Sequence, residues 1–254
     1  MTVPQLAKEY RLVEFDEIAS TNDEAKRLAE LGAEDGTLIW ARCQTCGRGR
    51  RGREWTSERG NLFASLVLRP VCAPLQAAQL TFVASLAVRD MLAGYLGDQK
   101  FIACKWPNDV LVEGRKISGI LLESSTAGTG VIEWLVLGIG VNLHNHPDIA
   151  GRHPSTSLRA ESENETDVVG GLEKFVEAFS HRRNEWMFSG FEAIRKSWLS
   201  HAYGIGQTAH IALESGNESG IFTGIDERGA LRLRGVDGVE RLFSAGDVTF
   251  EGTF

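Results

Sequence analysis

The sequence predicts an α+β domain, a mixed and largely antiparallel sheet with packed helices, followed by a small β-barrel. Three observations predict it. Six apolar runs with strand character lie between Thr37 and Asn142, two segments of helical spacing follow between Thr166 and Ala202, and the chain beyond changes to short strands broken by glycine turns. At 254 residues, 43% hydrophobic and 24% charged, the chain is long enough for one large domain and a small one. We place the division near Gly204, giving domains of 1–203 and 204–254.

The first element is a helix in ASTNDEAKRLAELGAEDG. Thr21 and Glu24 fit a capping box, Ala25, Leu28 and Ala29 form an apolar stripe, and Gly32 closes it. TLIWARC and NLFASLVLRP are rich in β-branched and aromatic residues and read as strands flanking a loop. From Pro74 to Gly97 the spacing of Leu75, Ala78, Phe82 and Leu86 predicts one core-packed helix. KFIACKW, NDVLV, KISGILLES and VIEWLVLGIGVN are strands joined by turns such as EGRK and TAGTG. The helical segments TDVVGGLEKFVEAFSHRRNEWMFSG and FEAIRKSWLSHA come next, and about five short strands complete the chain.

Composition excludes several classes. No window approaches 18 uncharged apolar residues, and the N-terminal stretch carries acidic residues where a secretory leader is apolar, so a cytoplasmic protein with no membrane partner is expected. Four cysteines are too few for a disulfide scaffold. Cys43 and Cys46 form a CxxC, but no second CxxC accompanies it, although His144 and His146 offer imidazoles. No recognisable helix start follows to activate a redox thiol. Two small residues in a loop is the preferred reading.

The loop itself, QTCGRGRRGREW, is the least ordinary segment. Six basic residues face two acidic ones between Arg42 and Arg59, in a chain whose net charge is −7. Gly47, Gly49 and Gly52 satisfy G-x-G-x-x-G, yet REWTSERGNLF is a poor helix start and no acidic residue lies near Leu68 to Cys72, so a dinucleotide fingerprint is set aside. A P-loop fails for want of G-K-[ST]. An Arg-Gly nucleic-acid binder usually uses a broad basic face, whereas the patch here is a single loop in an acidic chain, so that reading is kept only as a distant alternative. The remaining reading is a lid whose arginines bind an anionic group and whose glycines give it mobility.

Taken in order, STN, QTCGRGRRGREW, KWPNDVLV, GRKISGIL and GIGVN closely resemble the biotin protein ligase family, with specific motifs from Ser20 to Asn142 and weaker similarity through STSL to the C-terminus. The resemblance implies a class II synthetase-like, lipoate ligase-like sheet and an SH3-like C-terminal barrel. It implies a biotin–[acetyl-CoA-carboxylase] ligase: biotin and MgATP give biotinyl-5′-AMP, which acylates one lysine of the biotin carboxyl carrier protein. Carried over by position, Ser20, Thr21, Asn22, Gln44, Gly47 and Gly119 are biotin contacts, with Arg48 and Arg50 holding the adenylate. Arg51, Arg53 and Trp55 lie toward the nucleotide. Lys116 contacts the reacting carboxylate and α-phosphate, Asn108 and Asn142 stand on the nucleotide and Mg2+ side, and Asp109 orients or assists the acceptor lysine. Lys116, Arg50 and Asp109 are thus the catalytic candidates, and HNHPDIAGRHPSTSL matches the adenine-covering segment in position only.

The chain starts about twenty residues before STN, so a DNA-binding repressor domain, and DNA as a partner, are not expected. Family members dimerise through the central sheet, and VIEWLVLGIGV suits either an exposed edge strand in a homodimer or an interior strand. The alternatives are a lipoate or octanoate protein ligase or transferase of the same superfamily and, more distantly, the Arg-Gly nucleic-acid binder.

Overall fold

The computed structural model describes residues 4–97, 100–126, 128, 130–147, 154–162, 167–213 and 216–251. Its larger sheet has seven strands in the order β1-β2-β3-β7-β6-β5-β4. In chain order these are β1 (Arg11–Phe15), β2 (Thr37–Ala41), β3 (Leu62–Leu68), β4 (Ile102–Lys105), β5 (Asp109–Val112), β6 (Arg115–Thr126) and β7 (Ile132–Val141). All neighbours pair antiparallel except β1, which runs parallel to β2. This edge strand was not anticipated. The strand VIEWLVLGIGV, read as edge or interior, is interior: β7 lies between β3 and β6.

Among the described residues six α-helices accompany the sheets: α1 (Thr21–Glu30), α2 (Pro74–Ala77), α3 (Leu80–Leu96), α4 (Leu158–Glu161), α5 (Val168–Ser189) and α6 (Phe191–Ser200). One face of the larger sheet, with Leu62, Ala64, Leu66, Leu135, Leu137 and Ile139, packs into the main core with α3, α5 and α6. Ala25 and Ala29 of α1 pack against Ile39, Val67, Trp134 and Val136 on the opposite face. Period-2 alternation separates these two sets, which explains why the central strands read as nearly continuous apolar runs.

Two helix readings need correction. The cap of α1 is Ser20, whose Oγ accepts from the Asp23 N–H, one residue earlier than the capping box placed it. The single helix from Pro74 to Gly97 is two: Thr81 N–H bonds to Ala78 O in a tighter turn at residues 78–79. That turn rotates α2 away, and Leu75, assigned to the core face, is 60% exposed.

The smaller sheet has five strands in the order β11-β10-β9-β8-β12, namely β8 (Thr208–Leu213), β9 (Gly216–Ile225), β10 (Leu231–Arg234), β11 (Glu240–Phe243) and β12 (Asp247–Phe250). It docks on α6 and on the segments that follow β4 and α6. Trp106 Nε1 donates to Gly229 O (3.0 Å), Arg195 Nε donates to Ile225 O (2.9 Å), and Tyr203 meets Phe250 edge-on. This docking brings the start of β12 beside the arginine loop.

Candidate active site

The site begins as a floor of glycines on the α1 face of the larger sheet. Gly119 of β6 pairs with Gly140 of β7, and Leu121 with Gly138. A Cβ on Gly140 would come within 2.4 Å of the Trp55 indole nitrogen, and one on Gly119 within 3.1 Å of the same ring. Trp55 therefore lies directly on backbone, an approach only glycine permits. The buried Trp55 Nε1 has no hydrogen-bond acceptor among the described residues.

A relay of hydrogen bonds closes one end. The Ser65 hydroxyl, fully buried in β3, lies 2.6 Å from Asn22 Oδ1 and 2.8 Å from Thr21 Oγ1. Thr21 donates from backbone and hydroxyl to Gln44 Oε1 (2.8 and 3.0 Å), and Gln44 Nε2 donates to Ser57 Oγ (2.9 Å). Asn22 Nδ2 donates to Glu123 Oε2 (2.9 Å) on β6, fixing which end of its amide faces which partner. Ser20 is held by capping α1, and Gly47 sits where a Cβ would strike Ser57 Oγ at 2.2 Å. The structure thus gathers Ser20, Thr21, Asn22, Gln44 and Gly47 around the start of α1.

The arginines of the loop divide between two anchors. Arg48 pairs with Asp23 and Glu123, beside Lys26. Burial raises the pKa of Glu123, but its bonds to Asn22 and Lys26 and the nearby Arg48 outweigh this and hold it below the ordinary value. Arg50 Nη1 instead donates to Asn108 Oδ1 (3.1 Å), and burial lowers the pKa of this guanidinium against the opposing pull of Asp247 and Asp109. Arg51 and Arg53 reach Asp247 at 3.3 and 2.9 Å. Arg48 is thus grouped with α1, while Arg50, Arg51 and Arg53 cluster at the far end.

That far end carries Lys116 and Asp109, paired at 2.7 Å. A bulge in the β5–β6 register makes this possible: Val110 pairs with Ser118, but Leu111 pairs with Lys116, so Ile117 is the extra residue. Lys116 and Gly119 are three positions apart in the chain, an odd offset that strict alternation would place on opposite faces; the bulge returns Lys116 to the glycine face. Its Nζ lies 5.4 Å from the Trp55 ring centroid, and 3.5 Å from where a Cβ on Gly119 would stand. Lys105, buried in β4, is pushed down to about 8, chiefly by burial and also by Lys116 and Arg53, with Asp109 and Asp247 opposing.

Asn108 and Asn142 flank β6 from its two sides, since Ile120 N–H donates to Asn108 O and Asn142 N–H to Ile117 O. Asn142 Nδ2 donates to Thr156 O (3.0 Å). Thr156 and Pro154 bond the Lys116 backbone, so the STSL stretch runs beside the lysine, secured by Glu161 on Thr156, Arg115 and Lys100. Part of HNHPDIAGRHPSTSL, residues 148–153, lies outside the described residues.

Sequence reasoning missed Ser65, Ser57, Glu123 and Asp247. Ser65 and Glu123 interrupt apolar strands, a readable signal; nothing local marks Asp247. Cys43 lies by Glu17, and burial together with that carboxylate raises its thiol pKa, the reverse of redox activation. Among the described residues no group of three or more His, Cys, Asp or Glu is placed to hold a metal ion, and no helix is long and apolar enough to cross a membrane.

Comparison with known proteins gives two family matches: the biotin/lipoate A/B protein ligase family over residues 14–142 and the biotin protein ligase C terminal domain over residues 204–250. The chain is 43% identical over 237 residues to a biotin–[acetyl-CoA-carboxylase] ligase of Paracoccus denitrificans, covering 92% of this chain and 98% of that protein. It is 35% identical to the bifunctional ligase/repressor BirA of Bacillus subtilis, covering 92% of this chain and 72% of that one. Among solved structures, a biotin protein ligase from Aquifex aeolicus in complex with biotin and ATP aligns with a TM-score of 0.80 at 28% identity, covering 95% of this chain and 98% of that chain.

Proposed function

Because the chain belongs to the biotin/lipoate A/B protein ligase family, we propose that its glycine-floored cleft binds biotin, with the ureido ring at the Thr21–Asn22–Gln44 end and the carboxylate at Lys116. The chain acts as a biotin protein ligase. The biotin carboxylate attacks the α-phosphorus of ATP, the bond to the β-phosphate oxygen breaks, and pyrophosphate leaves. An acceptor lysine then attacks the acyl carbon of biotinyl-5′-AMP, forming an amide and releasing AMP, while the amine proton passes to water or to the departing phosphate. The acceptor we assign is the biotin carboxyl carrier protein.

A single arrangement supports this assignment most: Lys116 over Gly119, joined to Asp109, with Arg50 and Asn108 beside it. A carboxylate is already ionised at neutral pH, so the first step needs positioning and neutralisation of two anions more than a general base. Lys116 and Arg50 provide that charge. Trp55, resting on the floor, offers its unpaired indole N–H to an acceptor on the ligand and excludes water from a mixed anhydride prone to hydrolysis. Mg2+ enters as part of the substrate MgATP; it keeps water and phosphate ligands readily, and the carboxamide oxygens of Asn108 and Asn142 are of the kind it accepts. Asp109 holds Lys116 before adenylation and, once the lysine turns to the phosphate, is available to orient the acceptor amine.

ATP–pyrophosphate exchange with biotin, lipoate, octanoate or no acid tests the reading. Exchange that requires biotin supports it. Exchange driven by lipoate or octanoate moves the chain to another specificity in the same family, and no exchange with any acid removes the adenylation step.

A further inference from the structure

We propose that Asp247, on the smaller sheet, is a positioning residue that tethers the tip of the arginine loop across the cleft, so that the smaller sheet sets how long the adenylate is retained. This rests on the ligase reading above. Asp247 begins β12, where it pairs with Ala212 of β8, and its carboxylate receives Arg53 Nη2 at 2.9 Å and Arg51 Nη1 at 3.3 Å, with Arg50 Nη1 at 3.9 Å. The Arg50 guanidinium also reaches Gly246 O (3.4 Å) while donating to Asn108 in the cleft. One side chain therefore touches both the reacting end of the site and the smaller sheet.

The loop backbone is folded for this contact. Arg51 has φ +56° and Gly52 φ +70°, a left-handed pair that a non-glycine residue adopts only when its surroundings hold it there. That turn gathers Arg50, Arg51 and Arg53, three like charges within four residues, around one carboxylate. Without a counter-charge they repel and the turn has no reason to persist. The anchor is firm on the other side, because Gly246 packs so closely that a Cβ there would meet Ile211 at 2.5 Å. Exposed ion pairs are weak singly and screened by salt, but three converging on a carboxylate fixed in a strand act together.

The loop is thus held at both ends. Arg48 at its base is bound to Asp23 and Glu123 on one side of the cleft, and its tip is bound to Asp247 on the other.

Trypsin cuts after arginine, so limited digestion of the ligand-free full chain reads the tether without any substrate. Asp247→Asn should be cleaved in the loop about fivefold faster than wild type. Asp247→Glu should restore protection to within about twofold, and raising salt should erode wild-type protection while leaving Asp247→Asn unchanged. Adenylate formed in situ should dissociate from Asp247→Asn about fivefold faster, with the KM for ATP raised and single-turnover transfer to acceptor unaltered. Wild-type cleavage and adenylate retention in Asp247→Asn, with an unchanged melting temperature, would overturn the proposal. Loss of protection in Asp247→Asn, with no adenylate formed even by wild type, would support the tether and remove the ligase reading.

Discussion

Gly138→Ala should damage the end of the site proposed to hold the ureido ring, by a route that can be worked atom by atom. A Cβ at position 138 would stand 2.0 Å from Asn22 Oδ1, 2.8 Å from its Cγ and 3.0 Å from its Nδ2. To regain van der Waals contact the amide must withdraw by roughly 1–1.5 Å. Asn22 cannot do so and keep its partners, Ser65 Oγ at 2.6 Å and Glu123 Oε2 at 2.9 Å. Losing one neutral and one charge-assisted bond costs about 2–4 kcal/mol, in the range of ordinary overpacking penalties. We expect the urea unfolding free energy to fall by about 2–3 kcal/mol and the KM for biotin to rise at least about tenfold, with the KM for ATP within about twofold. Asn22→Ala clears the space, so adding Gly138→Ala to it should cost almost nothing. An unchanged biotin KM, or an equal penalty with Asn or Ala at position 22, would refute the reasoning.

Further expectations follow from the same contacts. Ser65→Ala removes the one hydroxyl that lies 2.6 Å from Asn22 Oδ1 and 2.8 Å from Thr21 Oγ1, leaving the Asn22 oxygen without its buried donor, and should cost about 1–3 kcal/mol in urea denaturation. Lys116→Gln should slow pyrophosphate exchange by about 10²–10³, and adding Asp109→Asn should not restore the rate, because the charge that neutralises the reacting anions is still missing. Lys105 falls from 10.5 to about 8, so the folded chain holds fewer protons than the unfolded one between those values. Its unfavourable contribution is full below pH 8 and is relieved as pH rises toward 10.5. The stability difference between Lys105→Met and wild type should shift by about 3 kcal/mol in favour of wild type across that window, read by denaturation at several pH values. Replacing Cys43 and Cys46 by Ser should leave both exchange activity and its resistance to peroxide unchanged, because the Cys43 thiol is held protonated.

Much of this arrangement was legible in residue order, and the rest depended on three-dimensional neighbours. The strands around the loop, the helices after Thr166 and the five terminal strands follow from alternation, helical spacing and turn residues, which act locally. The cap of α1 was misread by one residue because Ser20 and Thr21 are both good caps; Gln44, 23 positions away, takes Thr21 for another purpose. Leu75 was misplaced because a two-residue tightening of the helix leaves no mark on apolar spacing. Within the site, Lys116 and Asp109 were recognisable from their motifs, but the bulge at Ile117 that turns the lysine onto the glycine face is a property of strand pairing. Asp247 lies 194 positions beyond Arg53, and only docking of the smaller sheet brings them together.

The most direct test is the mass of an isolated biotin carboxyl carrier domain after incubation with the purified chain, MgATP and an equimolar mixture of biotin, lipoate and octanoate. One biotinyl group on a single lysine, absent when ATP is omitted and lost with Lys116→Gln, is the outcome expected here. An unmodified domain, or one carrying a lipoyl or octanoyl group instead, would contradict it.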